Sequence, residues 1–147
     1  MDVTVARSLA EKALEGAKDR YGDPLIEHVA RVAAMVPPEA QAVAWLHEVL
    51  ERSAIPLSEL EAEGLQPDEA QALMLLTRPL EESYEVRALE IAHGRGRGGS
   101  LARTVKLADL DDHLRHPRTL GEPPYGWARQ HVLVCTDRYD RAPQHAA

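Results

Sequence analysis

The sequence predicts an all-α, single-domain helical bundle, and three observations carry that expectation. Apolar residues recur at helical spacing along most of the chain. No stretch alternates polar and apolar residues as a half-buried strand does, and there is no internal repeat. Aromatic residues make up only 4% of the chain and phenylalanine is absent, so the core must be built from Leu, Val, Ala and Met, which suits helix-on-helix packing. With 147 residues, 44% of them hydrophobic, the chain is long enough for one proper core.

The elements follow in order. In "VTVARSLAEKALEGAKDRY", Val5, Leu9, Ala13 and Ala17 fall on one face, predicting a first helix that runs to Gly22. Asp23 is placed to cap a second helix, "PLIEHVARVAAMV", with Pro24 at its first position and Pro37–Pro38 as its stop. "EAQAVAWLHEVLERS" reads as one continuous third helix. Ser58 and Glu61 have the spacing of a capping box for a short helix ending at Gly64. Pro67 opens the next, "DEAQALMLLTR", and "EESYEVRALEIAHG" follows it. The basic, glycine-rich "HGRGRGGS" of residues 93–100 lacks the Gly-Lys-Ser/Thr ending of a phosphate-binding loop and reads as a flexible connector. "SLARTVKLADLDDHLRH" is a further helix, closed by Pro117. After "GEPPYG" a last helix runs from about Trp127 to Tyr139, with Trp127 and Tyr125 as packing residues and Cys135 as a small core residue. The domain is expected to span residues 1–140, leaving 141–147 as a flexible tail.

Charge and cysteine usage narrow the function classes. Seventeen Lys and Arg against 24 Asp and Glu leave a net charge of −7, the opposite of a general nucleic-acid binder. The single cysteine cannot form an internal disulfide, which points to a reducing cytoplasm. The N-terminal stretch lacks the basic start and apolar block of a signal peptide, and no segment is apolar enough to cross a bilayer.

The polar residues inside these apolar helices carry the functional information. His28 lies between Ile26 and Val29, His47 and Glu48 between Leu46 and Val49, and Asp109 between "VKLA" and Leu110. A buried carboxylate or imidazole is costly unless paired or bound to a metal. One such residue alone is ordinarily a hydrogen-bonded core residue. Two imidazoles and carboxylates from three helices would make a divalent-metal site in a bundle core. Glu51, about one turn beyond His47, falls on the same side and is placed to accept a proton from water. Arg52, Lys106 and Lys18 are the candidates to meet phosphate near the mouth, each being otherwise a solvated charge on a helix surface. His113 reads first as part of a charged helix end, where cations suit the C-terminus, and, one turn after Asp109, it is also within reach of a ligand.

The order "GDPLIEH", "AVAWLHEVLE", "LTR…ESY" and "ARTVKLADL" resembles the HD-domain phosphohydrolases, over residues 10 to 115 or so. The likeness is to the small branch related to alarmone hydrolases, which remove the 3′-pyrophosphate from guanosine bis-diphosphates. It implies a helical bundle holding a divalent ion, most often Mn2+, with Mg2+, Fe2+, Co2+ and Zn2+ as alternatives, through two His and two acids. Carried over, His28, His47 and Asp109 would be ligands and Glu48 would stand where the family has Asp. Glu51 would position and deprotonate the attacking water, and Lys106 would face the site or a substrate phosphate. The chain departs from the pattern at several places. Arg52 occupies the position of a second acid, Leu14 and Ala17 replace His and Gln, Leu25 replaces Tyr, and His113 replaces Asn. The resemblance implies a metal-dependent phosphohydrolase for a nucleotide or other small phosphorylated compound. The departures leave a second reading, a relative that binds a nucleotide or partner as a sensor without turnover.

Overall fold

A computed structural model describes residues 1–116 and 123–141. The described residues form nine helices and no strand: α1 (Val3–Ala13), α2 (Leu25–Met35), α3 (Pro38–Leu46), α4 (Val49–Arg52), α5 (Leu57–Ala62), α6 (Pro67–Leu76), α7 (Tyr84–Ala92), α8 (Gly96–Arg115) and α9 (Tyr125–Tyr139). The all-α expectation holds. None of these helices is long and apolar enough to cross a membrane. Pro117 and the tail beyond Arg141 lie outside the described residues.

Helix α8 is the axis of the molecule. It packs on α6 along one side and α9 along the other, and it also touches α2, α3 and α7. Alanines at the contacts, among them Ala42, Ala44, Ala72, Ala102 and Ala108, let the helices approach closely without a single phenylalanine. Two apolar clusters result. The larger gathers α1, α2, α3, α6 and the inner face of α8 around Leu46, Val43, Leu73 and Val105. The smaller joins α7, α8 and α9 through Ala88, Leu110, Tyr125 and Val132. Ala108 belongs to the first and Leu110 to the second, so Asp109 sits at their seam.

Several local expectations are corrected. Helix α1 ends at Ala13, eight residues before Tyr21. The chain turns instead, because the Asp19 carboxylate accepts from the Tyr21 and Asp23 amides and Gly22 takes a φ of +87°. Asp23 does not cap α2; Pro24 occupies the cap position. The third predicted helix breaks at His47–Glu48, with Glu48 as the N-cap of α4. Ser58 and Glu61 form no capping box, since α5 starts at Leu57 with Pro56 in the cap position, two residues before Ser58. The capping box belongs to α6, between Gln66 and Glu69. Trp127 is 37% exposed and is not a core residue, whereas Tyr125 and Cys135 are buried.

The glycine-rich run is not a connector. Residues from Gly96 onward are the first turns of α8, and Gly98 and Gly99 are buried. A Cβ on Gly99 would collide with the Gly94 carbonyl, and one on Gly98 with the Gln71 side chain. The glycines are therefore needed where α8 starts hard against the end of α7 and against α6. Arg103 completes the junction. Almost fully buried, it donates to the Ala92 and Gly94 carbonyls and to both oxygens of Asp140, which ties α7, α8 and α9 together. The Gly99→Ala substitution is expected to cost about 1–3 kcal/mol in chemical denaturation, because a backbone carbonyl cannot yield to it. Gly126→Ala, at an open position in the first turn of α9, is expected to gain about 0.5–1 kcal/mol. Equal effects at the two sites would contradict this account of the packing.

Candidate metal centre

The break at His47–Glu48 is what makes the site possible. In an uninterrupted α-helix, consecutive side chains point about 100° apart and do not face one another. Here His47 closes α3 and Glu48 opens α4, and both reach the same point. One ligand atom from each of His28, His47, Glu48 and Asp109 can be chosen so that all lie within 4.8 Å of one another. Helices α2, α3, α4 and α8 thus meet at one spot, with three of the four residues buried and Glu48 partly so.

Asp109 is the centre of the arrangement. Its Oδ1 lies 2.9 Å from His28 Nε2, 3.2 Å from His113 Nε2 and 3.6 Å from His47 Nε2. Its Oδ2 accepts from Lys106 Nζ at 2.9 Å. Burial works against ionising Asp109, yet Lys106 and the imidazoles hold its carboxyl well below the usual carboxylate range. Burial likewise opposes charge on Lys106, and the Asp109 carboxylate outweighs it, raising the ammonium above its ordinary value.

The two imidazoles are held differently. His47 Nδ1 donates to the Ala44 carbonyl at 2.6 Å, so in the neutral ring the lone pair is on Nε2. That Nε2 is buried and has no hydrogen-bond partner; Glu48 Oε1 is 3.7 Å away, beyond hydrogen-bond reach. An orphaned acceptor at the centre of an acidic group fits a cation. The donor set, two imidazoles and two carboxylates, fits a divalent ion of the Mn2+, Fe2+, Co2+ or Zn2+ kind. His28 lies between two acids, Nε2 toward Asp109 and Nδ1 toward Asp112 at 2.7 Å. Burial would lower its pKa, but the bonds to Asp109 and Asp112 prevail and raise it to about 10.

Two small cavities flank the cluster. One, of 150 Å3, is bordered by Arg20, Tyr21, Arg31, Arg52 and His116 beside His28 and Glu48. The other, of 190 Å3, is bordered by Glu51, Arg78, Tyr84, Lys106 and Tyr125 beside His47 and Asp109. Burial and the nearby Glu48 raise the Glu51 carboxyl above its ordinary value. His113 borders both cavities and stacks on Tyr125 with ring centroids 4.5 Å apart. Tyr125 in turn accepts from Arg20. A larger recess of 680 Å3 lies elsewhere, at the α7–α8 junction around Arg95 and Asp140, apart from the four converging side chains.

Of the residues singled out by sequence, the structure brings together His28, His47, Glu48 and Asp109, and it places Glu51, Arg52, Lys106 and His113 around them. Lys18 is the exception. Its side chain is exposed and borders neither cavity; what it contributes is a backbone carbonyl that accepts from Arg52 at 2.8 Å. Asp112, Tyr84, Tyr125, Arg20 and Arg78 border the site without having been anticipated there. For Asp112 a signal existed, since it follows Asp109 by three residues on the same helix face.

No family model matches the chain, and no curated protein matches it. Among solved structures it is similar to one described as a metazoan ortholog of SpoT that hydrolyses ppGpp and plays a role in starvation responses. The identity is 18%, the TM-score 0.68, and the match covers 90% of this chain and 84% of that one. The likeness shows a shared all-α fold.

The environment of His28 sets a pH expectation. With its pKa raised from the ordinary imidazole value to about 10, the metal-free ring carries its proton at neutral pH. Ligation needs the Nε2 lone pair, so the ion must displace that proton, and affinity falls as the pH falls. Calorimetric titration in buffers of differing ionisation heat is expected to show release of about one proton per ion bound near pH 7.5. Binding without proton release would contradict the assigned pairing.

Proposed function

We propose that this chain is a divalent-metal-dependent phosphohydrolase acting on a nucleotide or another small phosphorylated compound, in the manner of the alarmone hydrolases. The observation that carries the proposal is the convergence of His28, His47, Glu48 and Asp109 on one point, with the His47 Nε2 lone pair left for a cation. The shared fold with a ppGpp-hydrolysing protein supports it.

On this reading His28, His47, Glu48 and Asp109 hold the ion, with Mn2+ the first choice. A bound divalent ion supplies Lewis acidity toward a phosphoryl oxygen and acidifies water. Glu51 acts as general base: its carboxyl borders the 190 Å3 cavity, and burial and the nearby Glu48 raise it above its ordinary value. Lys106 holds Asp109 in place and presents fixed positive charge to the same cavity. Arg52, from the other cavity, and Arg78 offer guanidinium groups to the phosphates that are not cleaved. His113 closes the space between the cavities and touches the ligand from there. Lys18 serves by holding Arg52 through its carbonyl.

A second reading has one observation in its favour. Arg52 stands beside Glu51 and is held by the Lys18 carbonyl, so Glu51 has no second acid next to it in the chain. A site built that way could bind a nucleotide and sense it without turnover.

A panel of nucleotides, guanosine 3′,5′-bis-diphosphate among them, assayed with Mn2+ for phosphate and pyrophosphate release is the test. Release from at least one nucleotide is expected. Glu51→Gln is expected to lower kcat by about 10²-fold or more while metal content stays unchanged. His47→Ala is expected to lose the ion and the activity together. Nucleotide binding with no release by the wild type would favour the sensor, and absence of both would sink the two readings.

A further inference from the structure

Two pairs of residues, each spaced i, i+3, interlock where α2 crosses α8. Helix α2 contributes His28 and Arg31; α8 contributes Asp109 and Asp112. The two acids take opposite edges of one ring, Asp109 facing Nε2 and Asp112 facing Nδ1. Arg31 in turn grips Asp112 with both arms, Nε to Oδ1 at 2.7 Å and the terminal nitrogen to Oδ2 at 3.1 Å. Taking the metal reading above as premise, we infer that Asp112, anchored by Arg31, is a positioning residue that fixes His28 with Nδ1 protonated and Nε2 turned to the ion.

The geometry separates this role from that of an ordinary surface ion pair. The Asp112 side chain is only 10% exposed, whereas that of Arg31 is about half exposed. A pair that merely clamped two helices would gain nothing from burying its carboxylate beside an imidazole, and the desolvation would weaken it. The short bond to Nδ1 has a specific consequence. An imidazole has two ring nitrogens, and the hydrogen bond at one decides which of them is free to ligate. Asp109 must give up its bond at Nε2 when an ion takes that nitrogen. The bond at Nδ1 can persist throughout, holding the ring plane and raising the basicity of the ligating nitrogen. The bidentate grip of Arg31 restricts the Asp112 carboxylate to one orientation, which is the property a ring-orienting acid requires. His47 achieves the same end with the Ala44 carbonyl. Both imidazoles thus reach the cluster with Nδ1 as the anchored edge.

The test uses zinc as probe, because it is diamagnetic, and compares wild type with Asp112→Asn, Asp112→Leu and Arg31→Met. Competition against a chromophoric chelator is expected to show zinc affinity weakened about 10–100-fold in Asp112→Asn, at least as much in Asp112→Leu, and less in Arg31→Met. Imidazole 15N spectra of the zinc-loaded protein supply a readout that a structural role would not move. The wild type is expected to show His28 with Nδ1 protonated and strongly hydrogen-bonded, and Asp112→Leu to lose that signature. Arg31→Met changes a half-exposed residue and serves if the Asp112 variants do not fold. If the wild type takes up no zinc, the metal reading itself fails. If the wild type binds zinc and Asp112→Asn binds it within about twofold, with the His28 resonances unchanged, the positioning role alone is overturned.

Discussion

The structure depends on one buried carboxylate. Asp109 lies where two apolar clusters meet on the central helix, a place where an unpaired negative charge would cost several kcal/mol. Everything near it answers that cost. Lys106 neutralises one oxygen, and three imidazoles from α2, the end of α3 and α8 gather around the other. The charges balance partially, leaving His47 Nε2 without a partner. A bundle built for stability alone would have filled this seam with leucine, since buried polar groups seldom improve on a packed apolar core.

The fold delivers these groups through two local devices. A two-residue break between α3 and α4 lets neighbouring residues aim at the same point. The α2–α8 crossing brings two i, i+3 pairs into register. The junction at the start of α8 holds that helix at its far end, where Gly99 meets Gly94 and Arg103 reaches Asp140. The α1–α2 turn, wound on the Asp19 carboxylate, sets Arg20 and Tyr21 at the rim.

Much of this was legible in the sequence because burial and helical period are local signals. Polar residues at inward positions marked His28, His47, Glu48 and Asp109 as a set, and the structure brings those four side chains together. What escaped has a common physical cause. The break at His47 carries no glycine or proline, so nothing in the local chain announces it. The run at 93–100 resembles a linker by composition, yet its glycines serve a tertiary contact that only the partner helices reveal. Lys18, a candidate phosphate ligand or a solvated surface charge by sequence, lies in the turn after α1 with its side chain exposed and its carbonyl accepting from Arg52. The spacing of Asp112 from Asp109 puts it on the same helix face, but its significance lies in an imidazole 84 residues away.

The central claim is that side chains from four helices share one cation. Crystals grown with manganese and measured at its absorption edge test this most directly. The account predicts a single anomalous peak in contact with His28 Nε2, His47 Nε2, Glu48 and Asp109. Well-ordered crystals with no peak there, or with the ion held elsewhere, would contradict it.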